Sequence, residues 1–206
     1  MGPQPRRFHY SLDWRFLLPL TDTKKIYLLL EEDKDFSQVL EQVGINSSQQ
    51  LSFSDFQQHR NADIHSVVIP FGIPASWVSG KLEDQVEFYA SIRRFLSPGG
   101  CLLVGFNNRW NWRAKSQKQY YLSTPRHVIQ QLKQAGFQSV SMFGAMPSLA
   151  IPEYIFDLDS RTIQYSLQNR FRRKPAVLRA LRILSATMGW KRISNFLPCF
   201  FAGANA

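Results

Sequence analysis

Cysteine is scarce in this chain: only Cys101 and Cys199 among 206 residues carry a thiol. Both lie in apolar stretches without metal-ligand spacing, so they read as inert buried thiols in a reducing compartment, ahead of a disulfide. Histidine is scarce too, and His59 and His65 have no carboxylate at useful spacing, which argues against a histidine general base. Long hydrophobic runs are missing. No window reaches the roughly 18 apolar residues that a membrane-spanning helix needs, and the opening MGPQPRRFHYSLDW has no signal-peptide core. Internal repeats and low-complexity tracts are absent. Acidic residues stop at Asp159, and every charge beyond it is positive. These absences point to a cytoplasmic protein without a spanning segment, peripheral at a membrane if it meets one.

What is present is a core. Hydrophobic residues make up 44% of the chain and aromatics 14%, enough for one sizeable domain, under a formal net charge of +10. Residues 1–23, with two prolines and Arg6-Arg7, read as an arm that Trp14, Phe16, Leu17, Leu18 and Leu20 pack onto the domain formed by residues 24–206. Ile26–Leu30 is an apolar run of strand length. Asp35 to Val43 is a helix candidate stopped by Gly44. Leu51–Phe53 and Ile64–Ile69 are further strands, the second closed by Pro70.

The stretch Val86–Asn108, VEFYASIRRFLSPGGCLLVGFNN, organises the rest. Leu82, Val86, Tyr89, Ile92 and Leu96 share one helical face, and Arg93 and Arg94 complement the negative end of the helix dipole. Ser97-Pro98-Gly99-Gly100 turns the chain into Cys101–Val104, a strand apolar on both faces. Thr124-Pro125 opens a second helix as N-cap and first residue, with Val128, Ile129, Leu132 and Ala135 inward and Gly136 as its stop. Phe137–Phe143 follows as a strand. Phe196–Ala202 is the last one.

RRFLSPGGCLLVGFNN and STPRHVIQQLKQAGFQSVSMFG resemble two segments of the class I S-adenosylmethionine-dependent methyltransferases, those leading into the fifth and sixth strands. The resemblance covers residues 80–145 well and 24–70 poorly. It implies an α/β fold, a Rossmann-like three-layer sandwich with a mostly parallel sheet, and S-adenosylmethionine as cofactor. By the same resemblance Leu51–Asp55 is the third strand, whose terminal Asp55, followed by Phe56, is placed for cofactor binding. An alternative register makes Leu51–Phe53 the second strand.

Two departures accompany it. The family's first strand ends in an acidic residue and alternate glycines, where this chain places Leu28 and then Leu30, Glu32 and Lys34. A Cβ at such positions fills the space against which the cofactor packs. In either register one strand–helix unit is missing, so a shortened sheet is expected. No Asp/Asn-Pro-Pro-Tyr motif follows the fourth strand.

After the organising strand, FNNRWNWRAKSQKQYY places Asn107, Asn108, Arg109, Trp110 and Trp112 where the family's loop closes over its acceptor. Arginine and aromatic faces suit an anionic or planar ligand, nucleic acid included. The basic C-terminal segment, 160–195, carries Arg161, Arg170, Arg172, Arg173, Lys174, Arg179, Arg182, Lys191 and Arg192. Pro175 starts a helix there whose stripe is Val177, Leu178, Leu181, Leu184 and Met188. Such a segment suits an anionic lipid surface, nucleic acid or an acidic protein partner. Three functions stay open: methyl transfer to a small-molecule or carbohydrate-like acceptor, a non-catalytic methyltransferase-fold binding or partner subunit, and a basic nucleic-acid or membrane-surface binding protein. No metal is expected.

Overall fold

The computed structural model describes residues 16–18, 26–30, 41, 49–58, 64–78, 81–110, 120–149 and 152–206. The expected helix over Asp35–Val43 lies outside these, apart from helical Glu41. An eight-stranded sheet runs through the domain in the order β2-β1-β3-β4-β8-β6-β7, with β5 paired to β4. The strands are β1 (Ile26–Leu29), β2 (Gln50–Leu51), β3 (Ile64–Ile69), β4 (Leu96–Asn108), β5 (Leu122–Ser123), β6 (Ser139–Pro147), β7 (Pro152–Asp157) and β8 (Cys199–Asn205). Pairings among β1 to β5 are parallel, and those of β8 with β4 and β6, and of β6 with β7, are antiparallel. The fold is α/β, Rossmann-like, with a mostly parallel sheet.

Gln50–Leu51 hydrogen-bonds directly to β1, so the register that makes it the second strand is the one adopted. No described strand lies beyond β2 on that flank, but with eight strands in all the sheet is not the shortened one expected. The opposite flank carries β7, which the sequence pattern did not announce.

The central strands are covered on both faces, as continuous apolar runs require. Leu102, Val104 and Phe106 of β4, with Phe200, Ala202 and Ala204 of β8, face the larger core. Cys101 and Leu103, with Cys199 and Phe201, face the smaller one, where Leu17 and Leu18 pack; Phe16 instead is 85% exposed. Helices α2 (Leu82–Phe95) and α3 (Pro125–Gln134) lie on the larger core. Phe88, Tyr89 and Ile92 of α2 and Val128 and Leu132 of α3 are its buried contacts, each contributing roughly 1.5–3 kcal/mol by leaving water. The short helix α1 (Phe53–Gln58) buries Phe56 there as well. Thr124 caps α3 as its sequence signals: the side chain accepts a hydrogen bond from the His127 amide.

Pro98-Gly99-Gly100 is a bulge within β4 rather than a turn before it. Leu96 pairs with Ile64 and Cys101 with Ser66, so residues 97–100 stand opposite His65 alone. Ser97 ties the bulge down by donating to the Ile64 carbonyl, and Gly99 holds φ +76°.

The C-terminal layer comprises α4 (Ser160–Arg170), α5 (Pro175–Met188), the short α6 (Trp190–Ile193) and a 3-10 turn at Ser194–Phe196. Ile163 and Leu167 anchor α4 in the larger core, whereas α5 buries no residue fully. Three of the five residues of the expected α5 stripe turn inward: Leu178, Leu181 and Met188 are half-buried, while Val177 and Leu184 stay exposed.

Candidate functional site

In an open parallel sheet, ligands bind beyond the carboxyl ends of the strands, where strand order reverses. Here that place lies between β1 and β3, since β1 has β2 on one side and β3 on the other. Leu30 follows β1 and is half-buried, its amide donating to the Leu51 carbonyl at 3.1 Å. Glu32 and Lys34 lie outside the described residues. After β3 the chain enters Pro70-Phe71-Gly72-Ile73-Pro74, of which all but Phe71 are buried. The loop is crossed by the segment before β5: Pro74 bridges Tyr120, and the Tyr121 amide donates to the Ile73 carbonyl at 2.8 Å. Gly72 takes φ +107° under the Tyr120 ring, and a Cβ on Gly105 would stand 2.3 Å from the Pro70 carbonyl oxygen. Backbone therefore packs on backbone at the mouth of the sheet.

The residues singled out for cofactor binding have other employment. Ser52 accepts from the Asp55 amide and donates its hydroxyl to the Asp55 carboxylate at 2.6 Å, a reciprocal cap on α1. Asp55 thus follows the second strand and serves a helix start. Phe56 is fully buried, its ring edge-on to Phe95 with centroids 4.8 Å apart, so the core rather than a ligand holds it. Beside α1, Phe53 and Trp77 stack at 5.7 Å with planes 23° apart, and Phe53 touches Phe88 at 4.7 Å. These rings close on each other, leaving no slot for a planar ligand between them.

The acceptor-loop candidates divide. Asn108 is fully buried, and its amide nitrogen donates to the Asn195 carbonyl at 2.6 Å and the Leu197 carbonyl at 2.7 Å. Its oxygen accepts from the Trp110 amide at 3.2 Å. This side chain is a clasp between β4 and the segment before β8, with no group left for a substrate. Asn107 is half-buried, Arg109 is exposed with its amide on the Ser123 carbonyl, and Trp110 is 66% exposed. Trp112 lies outside the described residues. Sequence reasoning missed Ser123, a buried residue register-paired with Asn108 whose hydroxyl has no partner; nothing in its sequence context marks it.

Among the basic candidates, Arg170 is half-buried, and Arg172, Arg173, Lys174, Arg179 and Arg182 are exposed. The first four line a cleft at the α4–α5 junction. Both thiols are buried, and burial pushes each one's pKa up. Ser66 contacts Cys101 at 3.1 Å and partly offsets that shift, while Cys199 donates to the Ala145 carbonyl at 3.1 Å. They are core residues rather than nucleophiles. Among the described residues no group of side chains is arranged to hold a metal.

The chain's fold is that of the class I S-adenosylmethionine-dependent methyltransferases. A S-adenosylmethionine-dependent methyltransferase from Archaeoglobus fulgidus superposes with a TM-score of 0.51 at 9% identity, over 88% of this chain and 85% of that one. A possible histamine N-methyltransferase from Thermotoga maritima gives 0.46 at 11% identity, over 88% and 73%. No family model and no curated protein sequence matches this chain. The residues present do not fit the cofactor's usual cradle. From Leu30 to Val43 the chain has no glycine, Asp55 is spent on a helix cap, and the neighbouring rings stack on one another.

Proposed function

We propose that this protein is a methyltransferase-fold module that has given up methyl transfer and acts by binding. The domain covers residues 24–206, with 1–23 as its arm. The observation that carries this reading is the glycine-free stretch between Leu30 and Gly44. Where the family's cofactor packs against the bare backbone of glycines, this sequence offers only residues that carry a Cβ. The burial of Phe56 and the engagement of Asn108 within the fold support it, since a contact through either would have to break an internal one first, while the exposed Asp55 carboxylate is tied to Ser52.

One observation favours the second reading, S-adenosylmethionine-dependent transfer to a small-molecule acceptor. Arg109 and Trp110 remain exposed at the end of β4, free to meet a ligand. Methyl transfer asks little beyond alignment of donor and acceptor, so the cofactor decides between the two. Calorimetric titration with S-adenosylmethionine and S-adenosylhomocysteine is the test. No heat at millimolar ligand, from protein with a cooperative melting transition, is the expected result. Micromolar binding overturns the non-catalytic reading and restores the enzyme.

A further inference from the structure

Helix α5 is the least accounted-for element of the molecule. It is 14 residues long with no buried residue, so its packing on the domain stabilises it little. Leu178, Leu181, Ser185 and Met188, at helical spacing, form the half-buried side, and Leu181 meets the larger core. Much of the exposed remainder is aliphatic too, with Val177 and Leu184 flanking the half-buried side and Ile183 lying opposite it. Val177 is 36% exposed, Ile183 59% and Leu184 46%, with Ala176 and Ala180 exposed among them. A helix carrying apolar groups on both sides, one against the domain and one against water, is unfinished as it stands.

Charge identifies what finishes it. Arg172, Arg173 and Lys174 precede the helix, Arg179 and Arg182 lie on it, and Arg192 follows; all six are exposed. No described carboxylate forms an ion pair with any of them, and no acidic residue follows Asp159. Nucleic acid would accept the charges but gains little from Val177, Ile183 and Leu184, because its recognition uses aromatic stacking and hydrogen bonds. An anionic bilayer surface accepts both: aliphatic side chains enter the acyl boundary while arginines reach the headgroups. The helix is about 21 Å long, too short to span the hydrocarbon core but suited to lying in its boundary. Among the described residues no helix is long and apolar enough to cross a membrane.

We infer that the outward face of α5, with its flanking arginines, docks this protein onto a membrane surface rich in anionic lipid. Docking is independent of whether the fold retains any cofactor.

The test is flotation of the full chain with vesicles of phosphatidylcholine and phosphatidylglycerol in equal parts, against vesicles of phosphatidylcholine alone. Binding to the anionic vesicles only, weakening as salt rises, is expected. The pair Ile183→Ser and Leu184→Ser removes aliphatic groups that are about half exposed and outside both cores, so the variant should keep the wild-type cooperative melting transition, which is checked first. It should bind at least tenfold more weakly even at low salt. The pair Arg179→Gln and Arg182→Gln should weaken binding roughly thirtyfold, from the attraction of two surface cations. Val177→Ser, tested alone, should weaken binding in the same direction through a third outward position.

Several results overturn the inference. Equal binding to both vesicle types, or flotation with neither, does so. Serine variants that bind as the wild type does would leave a purely electrostatic surface, and tighter binding to a mixed-sequence RNA would then name its occupant. A stable dimer in sedimentation, lost in the Ile183→Ser and Leu184→Ser variant, would assign the face to a second copy of this chain.

Discussion

A single side chain, that of Asn108, shows how a residue that looks like a ligand contact becomes a structural one. The pair Asn107-Asn108 at the end of an apolar strand is what a polar cleft mouth looks like in sequence. In the fold the two side chains part, because successive residues of a strand point to opposite faces. Asn108 turns into the larger core, meeting the carbonyls of Asn195 and Leu197, some ninety positions away. Replacing it with alanine leaves those carbonyls short of a donor in a dry site. Asn108→Ala should therefore cost about 3 kcal/mol in chemical denaturation. Asn108→Asp, which sets a carboxylate against the same two carbonyls, should cost more. A substrate contact would leave both denaturation midpoints in place. Such a partner across the chain is invisible to local reading, which explains why the fold of this region was legible while the job of its most suggestive residue was not.

At the scale of elements, legibility follows the range of the forces involved. Helix α3 announces itself by Thr124, Pro125 and Gly136, all local signals, and the structure places it as read. Helix α4 is capped by Asp159, whose carboxylate accepts from the amides of Arg161 and Thr162 at 2.9 and 3.0 Å. The Thr162 hydroxyl, then the Thr162 amide, lower its pKa below the usual carboxylate range. A depressed folded-state pKa gives stability that is present above the ordinary carboxylate range and is lost as pH falls through the folded value. Asp159→Ala should lower the melting temperature at neutral pH, and the gap to wild type should close on acidification through that range. A gap constant with pH would mean that the cap is not ionic. The Pro-Gly-Gly bulge depends on a neighbouring strand, and the sequence conveys only its ingredients. A Cβ on Gly100 would lie 2.9 Å from the backbone oxygens of His65 and Ser97, whereas one on Gly99 would meet nothing within 4 Å. Gly99→Ala should cost about 1 kcal/mol, from its left-handed φ alone. Gly100→Ala should cost more, because backbone must shift to admit the methyl group. Comparable denaturation midpoints for the two variants would show that the bulge relaxes freely. The strand β7 went unread for a similar reason: its only pairing among the described residues is with β6, and Pro147 and Pro152 interrupt the apolar pattern that leads into it.

For the whole molecule, the last strand in sequence is the most central in energy. β8 enters between β4 and β6 and hydrogen-bonds to both along its length, so two halves of the sheet meet only through it. Phe200 and Phe201, both fully buried, send rings into the two cores from adjacent positions, and Phe200 stacks on Phe106 at 5.4 Å. Without β8, the β6–β7 pair loses its hydrogen bonds to the rest of the sheet and is left with its packing on α3 and α4, and β4 exposes a row of unpaired backbone groups. The same placement means that sheet closure waits on contacts of long sequence separation, a topology that folds slowly. A chain ending at Pro198 should therefore lose its cooperative denaturation transition and its near-ultraviolet circular dichroism. A shorter truncation, after Gly203, keeps the pairs from Cys199 to Gly203 and both phenylalanines. It should retain a cooperative transition at reduced stability. If the chain ending at Pro198 still unfolded cooperatively, the region from β1 to β4 would be a folding unit on its own, with β8 an addition to it rather than its keystone.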